Sequence, residues 1–370
     1  MGHSLDHKEQ IYNELAERLS KNPVGAPVNE MLMEILHKLY TSAEAEIGSK
    51  LPFRPASASH LAKATGKSAS EISEILDSMA NKGLVIDFPR RGETYYMLAP
   101  MVVGFFEYTF MRAKRADLGE LAELFENYMQ DQTVREEIFH GGTKMFRALA
   151  YEDVIPLAVE TEVLDYDRAS DIIRQSGGGA LSTCACRHMA DHLGRACDAP
   201  IDDVCTSLGQ ASDWLIRRNF AKIATIEDLL ENLERAREEG LVILCDNVLG
   251  QPAFICFCCG CCCGVLRAIN EGGLKAVEPG NYLPQVSFEK CVACGACETA
   301  CQINAISLTG RDADLRPLID RTLCIGCGIC ASVCPAGACY MVAREPPYKP
   351  PRDSFQQMLS IAREKNRKVF

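Results

Sequence analysis

Twenty cysteines in 370 residues are the side chains best equipped for chemistry. A thiolate either ligates a soft metal or attacks an electrophile, and its spacing and surroundings decide which. Eight of them form two matching runs, Cys291-x2-Cys294-x2-Cys297-x3-Cys301 and Cys324-x2-Cys327-x2-Cys330-x3-Cys334-Pro335. Three thiolates at that interval fit on a tight loop around one metal cube, and the chain carries the fourth onward. Gly295, Gly326 and Gly328 let the backbone wrap close and offer N–H groups to the sulfides. Two further groups lie upstream. The first is Cys184, Cys186, Cys197 and Cys205, interleaved with Arg187, His188 and His192; the second packs Cys256, Cys258, Cys259, Cys261, Cys262 and Cys263 into eight residues. Cys245 stands apart. Cys339 falls where the first run has Ile306, which makes it a core residue rather than a ligand.

The paired runs resemble the bacterial two-cluster ferredoxins, over about fifty residues. The resemblance implies two 4Fe-4S clusters with crossed ligation. One cluster takes Cys291, Cys294, Cys297 and Cys334, the other Cys324, Cys327, Cys330 and Cys301. It also implies low-potential, one-electron traffic with a redox partner protein. Gln302 departs from the pattern, in which proline follows the fourth cysteine; the change loosens a turn and removes no ligand.

The ten grouped cysteines upstream point to a further metal site. In a strand, positions two apart share a face, so Cys184 and Cys186 would aim at one centre. In extended chain Cys256 and Cys258 share one face and Cys259, Cys261 and Cys263 the other. Arg187 would steady thiolate charge, whereas His188 and His192 read as core or solvated. Three contents stay open: a third iron–sulfur cluster, zinc, or redox-active thiols. An iron–sulfur centre with three thiolates would leave an open iron for a substrate. A cysteine-rich middle joined to a two-cluster ferredoxin end resembles chains of anaerobes.

The elements that must position these groups are legible in part. Apolar groups at Met31, Leu32, Ile35, Leu36, Leu39 and Tyr40 mark one helix face. A helix at 58–64, a turn at Thr65–Lys67 and a helix at 68–82 capped by Ser68 or Ser70 and closed by Gly83 come next. Strand-like Leu84–Ile86 and Thr94–Leu98 then flank a turn at Pro89–Gly92. That order resembles a winged helix. Its second helix carries Glu71, Glu74 and Asp77 against Lys67 and Lys82, and acidic and basic groups balance over residues 1–116. Phosphate binding needs a basic excess, so docking or homo-oligomer formation is expected here rather than DNA binding. Beyond it come a helix from Asp117 to Gln130, another over Asp165–Gln175 ended by Gly177-Gly178-Gly179, and a strand at Ala180–Thr183. Thr225 and Asp228 form a capping box opening a helix that closes at Gly240, before a buried strand at Leu241–Leu244.

The fold class expected is thus α+β and multidomain. It comprises a winged-helix-like docking domain (1–115), a mixed α/β cysteine-rich metal-binding domain (116–286), a two-cluster ferredoxin domain (287–343) and an extended linker with a helical docking tail (344–370). A formal net charge of −11 argues against general nucleic-acid or anionic-membrane affinity. There is no apolar run of spanning length and no signal-peptide pattern, and metal-like cysteine spacing suits a reducing cytoplasm. The expected function is electron transfer, as a relay or redox-enzyme subunit joining the ferredoxin clusters to the middle site. The alternative is a redox-responsive regulator that uses the winged helix.

Overall fold

The computed structural model describes residues 2–112, 117–155, 165–311 and 314–368. Its architecture is mixed α/β with several sheets. In the N-terminal part Ser68 caps the helix Ala69–Lys82 through the Glu71 amide, and Gly83, at φ 78°, ends it in the left-handed region. The strands Val85–Arg90 and Glu93–Leu98 follow, with Ala56–Ser57 paired to the outer side of the second. The expected four-residue turn is shorter. Pairing continues through Pro89↔Thr94 and Arg90↔Glu93, leaving Arg91 and Gly92, both at positive φ, as a two-residue turn matched to strand twist. Pro89 is tolerated because its strand lies at the sheet edge.

The middle is built on a seven-stranded sheet. Its order is Val277–Glu278, Phe146–Leu149, Val242–Asp246, Phe254–Cys258, Cys205–Leu208, Gly179–Ser182, Lys222–Ala224. Every pair is antiparallel except the first. The Thr225–Asp228 capping box opens the helix Ile226–Glu238 as expected, and Val242–Asp246 is buried throughout. The helix expected from Asp165 starts later. Asp165–Asp167 form a single 3-10 turn before the helix Ala169–Ser176, because the Asp167 carboxylate is taken by Arg147 (2.9 Å) and Asn281 (2.7 Å).

The cysteine runs at 291–334 sit between two small antiparallel ladders, Tyr282–Val286 with Cys339–Ala343 and Ile306–Thr309 with Arg316–Ile319. The tail packs on the chain's own body. Leu249 and Gly250 donate to the Pro351 and Arg352 carbonyls, and the buried Gln357 amide donates to Lys144, Met145 and Asn247 carbonyls. Arg367 then reaches the Asn22 and Pro23 carbonyls and Glu137. One apolar core runs from Tyr12 to Ile361 and includes Cys245, Cys258, Cys259, Cys262, Cys263 and Cys324. Among the described residues no helix is long and apolar enough to cross a membrane.

Candidate metal centres

The two cysteine runs fold alike. A left-handed glycine, Gly295 at φ 79° and Gly328 at φ 83°, precedes each short helix, Ala296–Thr299 and Ile329–Ser332. Cys291, Cys294, Cys297 and Cys334 line one cavity together with Val286, Leu308 and Pro317. Cys301, Cys324, Cys327 and Cys330 adjoin one another. Burial pushes Cys324 up to about 11 and Cys327 further, and the neighbouring thiols add to both. These two sets are the foursomes expected from the resemblance, and Cys339 lines the first cavity as well and contacts Cys330 of the second set. The fourth cysteine of each run accepts a backbone N–H, Cys301 Sγ from Ala305 (3.2 Å) and Cys334 Sγ from Cys339 (3.4 Å). Cys339 itself is buried against Ile306 and Cys330. The foursomes differ in access. Cys294 is exposed, and exposed Val292 lines the same cavity, whereas Cys324 and Cys330 are buried.

The ten upstream cysteines divide differently from their sequence groups. Cys197, Cys259, Cys261 and Cys262 bring their sulfurs within 4.8 Å of one another. The contacts are 3.6 Å for Cys197–Cys259, 3.7 Å for Cys261–Cys262 and 3.8 Å for Cys262–Cys197. Cys184, Cys186, Cys205, Cys256, Cys258 and Cys263 form a second string, of which Cys258 and Cys263 are buried and the others half-buried; Cys263 raises the Cys186 thiol and Cys205 raises Cys256, with burial adding to each. Burial, with Cys186 adding to it and Arg187 opposing, carries Cys184 up to about 12.

Two expectations of local geometry are corrected. Cys184 and Cys186 are not on a strand: the ladder with Cys205–Leu208 ends at Ser182, and Cys184 caps the helix Ala185–His192. Nor does the second group run extended past Cys258. The chain turns over Cys259–Cys262, closed by the Cys263 amide on the Cys259 carbonyl (3.2 Å), and Cys263 caps the helix Gly264–Gly272. That turn sends Cys259, Cys261 and Cys262 to one side and Cys263 to the other. His188 keeps a core role, its Nδ1 lying 2.6 Å from the Phe110 carbonyl. Cys245 lies fully buried in its strand, apart from both groups.

Arg187 stands between the groups. It is 1% exposed, donates to the Pro200 and Phe257 carbonyls, and leaves its Nε unpartnered. Among the described residues no carboxylate pairs with it. A buried cation without an anion is costly. Burial works against the guanidinium's charge, and the sulfurs of Cys184, Cys259 and Cys258, where ionised, favour it. A bond from Cys262, then Arg187, outweighs burial at Cys259 and holds its thiol down to about 4. At the rim Glu126 bridges Arg195 and Arg267 and is held down to about 2: burial opposes, but the Arg267 bond leads the groups that overcome it. Nothing in the local sequence around Glu126 signals this role.

Gln302 has a purpose that its departure from the ferredoxin pattern only hinted at. Its Oε1 accepts from the Gly260 amide (2.8 Å), its Nε2 donates to the Gly240 carbonyl (3.2 Å), and its own carbonyl accepts from Asn270 Nδ2 (3.0 Å). Gly260 lies between Cys259 and Cys261, and a Cβ there would come 2.1 Å from the Gln302 carbonyl oxygen. The Tyr151 amide likewise donates to the Cys327 carbonyl (3.1 Å).

Residues 290–338 match the family of 4Fe-4S dicluster domains. An iron–sulfur, ferredoxin-type domain therefore occupies this segment, with cysteines for at least one 4Fe-4S cluster. Iron–sulfur electron transfer is the general class to which it belongs. No curated protein and no solved structure matches the chain.

Proposed function

We propose that this chain is an electron relay or redox-enzyme subunit, in which two 4Fe-4S clusters in the C-terminal part exchange electrons with a third centre among the upstream cysteines. Bound clusters of this type supply one-electron chemistry at potentials tuned by hydrogen bonds and exposure. Cys291, Cys294, Cys297 and Cys334 hold the outer position, where exposed Cys294 and its apolar surroundings meet a redox partner protein. Cys301, Cys324, Cys327 and Cys330 hold the inner one. The observation that carries the reading is Gln302, which follows Cys301 directly and bonds the amide between Cys259 and Cys261. It gives a continuous covalent and hydrogen-bonded route from an inner cluster ligand to the Cys259–Cys262 turn, and along that turn to its chain neighbours Cys258 and Cys263.

In this reading residues 1–115 are a winged-helix-like docking unit, 116–286 the cysteine-rich domain and 287–343 the two-cluster domain, in the reducing cytoplasm. The charges favour docking over DNA. Glu71, Glu74 and Asp77 are exposed on the second helix, Lys67 pairs with Glu46 and Glu71, and Lys82 with Glu44. The hairpin is committed inward: buried Asp87 accepts from Trp214 Nε1 (2.8 Å), Arg217 (2.9 Å) and Arg218 (2.9 Å).

An oxygen-free redox titration followed by electron paramagnetic resonance tests the relay. Three interacting reducible centres are expected, with no retention of DNA at moderate salt. Two centres that titrate with no third would overturn it. A DNA fragment shifted by the protein and released by Arg90→Ala with Arg91→Ala would favour the regulator.

A further inference from the structure

Four sulfurs around one ion obey a simple constraint. With metal–sulfur bonds of about 2.3 Å, the edge of a regular tetrahedron of thiolates is about 3.8 Å. The Cys197–Cys259, Cys261–Cys262 and Cys262–Cys197 contacts of 3.6, 3.7 and 3.8 Å sit at that edge. They are too long for disulfides, whose sulfurs lie about 2.05 Å apart. They are also too short for a cubane, which places each thiolate on a different iron and spreads the sulfurs beyond one metal's shell. Mutual contact among neutral thiols would reproduce the distances but not the charge. Arg187 is buried, bonds only the Pro200 and Phe257 carbonyls and has no carboxylate partner among the described residues, so an anionic site nearby suits it, and four thiolates around a divalent ion carry two net negative charges.

The local chain is shaped for this. One turn supplies Cys259, Cys261 and Cys262, and it can close because Gly260 has no side chain to strike the Gln302 carbonyl. Cys197 comes from beyond the Ala185–His192 helix and completes the set. Arg195 braces the turn from outside through the Cys261 carbonyl (3.2 Å). All four positions are protein thiols, which leaves none open for substrate, as in structural rather than catalytic zinc sites.

We propose that Cys197, Cys259, Cys261 and Cys262 form a closed, redox-silent tetrahedral site for one zinc ion, distinct from the string of Cys184, Cys186, Cys205, Cys256, Cys258 and Cys263. The zinc site does not depend on the relay. Confinement of the relay's third centre to the six-thiol string does rest on that reading.

The test uses the full chain, produced with iron and zinc both supplied and purified without oxygen. The expected result is one zinc per chain, with a shell of four sulfurs at about 2.3 Å in X-ray absorption at the zinc edge. Cys261→Ser, at the exposed ligand, should lose that zinc while iron and acid-labile sulfide per chain stay unchanged. Wild-type protein without zinc, or a zinc shell containing nitrogen or oxygen, overturns the proposal even if the variant fails to fold. So does a Cys261→Ser protein that keeps its zinc or loses iron and sulfide instead. Failure of the relay would look different: the zinc results would stand while the redox titration found no third centre.

Discussion

Replacing Arg187 with methionine separates an anionic metal centre from a pocket of neutral thiols. Arg187→Met keeps most of the side-chain volume and removes the charge and the donors to the Pro200 (2.7 Å) and Phe257 carbonyls. Losing hydrogen bonds from a charged donor costs roughly 1.5–3 kcal/mol each, and that loss is the same with or without metal. The interaction of the guanidinium with Cys184, Cys258 and Cys259 counts only while those sulfurs are thiolates. Comparing metal-loaded and metal-depleted protein, wild type and variant, cancels the first effect and isolates the second. Outer partners that orient metal ligands typically change affinity 10–100-fold, equivalent to about 1.4–2.8 kcal/mol. A chelator competition at neutral pH, following zinc and iron release, should find upstream metal in Arg187→Met removed at 10–100-fold lower chelator concentration. Release from the 291–334 foursomes should be unchanged. Coincident curves would refute the reasoning and reduce Arg187 to a neutral tie between two carbonyls.

Gln302→Pro restores the residue usual after the fourth cysteine and removes the bonds to Gly260 and Gly240; it should lower stability in urea by about 1–3 kcal/mol and slow electron delivery upstream after rapid reduction. An unchanged midpoint and rate would empty the tie of significance. Asp87→Ala leaves the Trp214 N–H without its acceptor while Arg218 keeps Asp77 and Asn81, with an expected cost of about 1–3 kcal/mol; emission from Trp214, the chain's single tryptophan, reports it as a red shift. Burial works to raise the Asp87 carboxyl, but Arg218 and Trp214 outweigh it and hold it below its ordinary value. A depressed carboxyl gives stability that is complete above its unfolded value, near ~3.9, and lost as pH falls through the folded one. The same red shift should therefore develop in wild type below about pH 4 and be absent as a separate step in Asp87→Asn. Gly326→Ala puts a Cβ 2.1 Å from the Tyr282 carbonyl oxygen at φ 73°. It should cost about four iron atoms per chain, one inner cluster, and full iron content would contradict the assignment of that loop.

What the sequence made legible follows the range of the interactions. Ser68 and Gly83 bound a helix by contacts within a few residues, and Thr225 with Asp228 opens another, so these positions could be read directly. The ferredoxin-type segment was legible because its thiols and glycines are fixed by one local wrap, repeated. The seven-stranded sheet was not. Pairing of Val277 with Phe146, or of Thr206 with Ile255, joins distant segments through short strands with no register signal of their own. The upstream cysteines were found but not their partition, in which Cys197 joins Cys259, Cys261 and Cys262, since alternation along a strand says nothing once the chain turns at Gly260. The tail reads in the sequence as a docking element, and what its bonds reach is this chain's own Lys144–Met145 and Asn22–Pro23 segments, a contact between distant positions that no local pattern signals.

The contrast between exposed Cys294 and buried Cys324 and Cys330 also orders damage. Dissolved oxygen attacks reachable iron and thiolate first, so in the proposed relay the outer position fails before the inner ones. A chain injured in this way keeps its folded body and its deeper metal, yet has lost the terminal at which a partner hands over electrons. Colour and total metal then overstate how much of a preparation is alive. The first casualty of air is the connection to the outside, and the interior outlasts its usefulness.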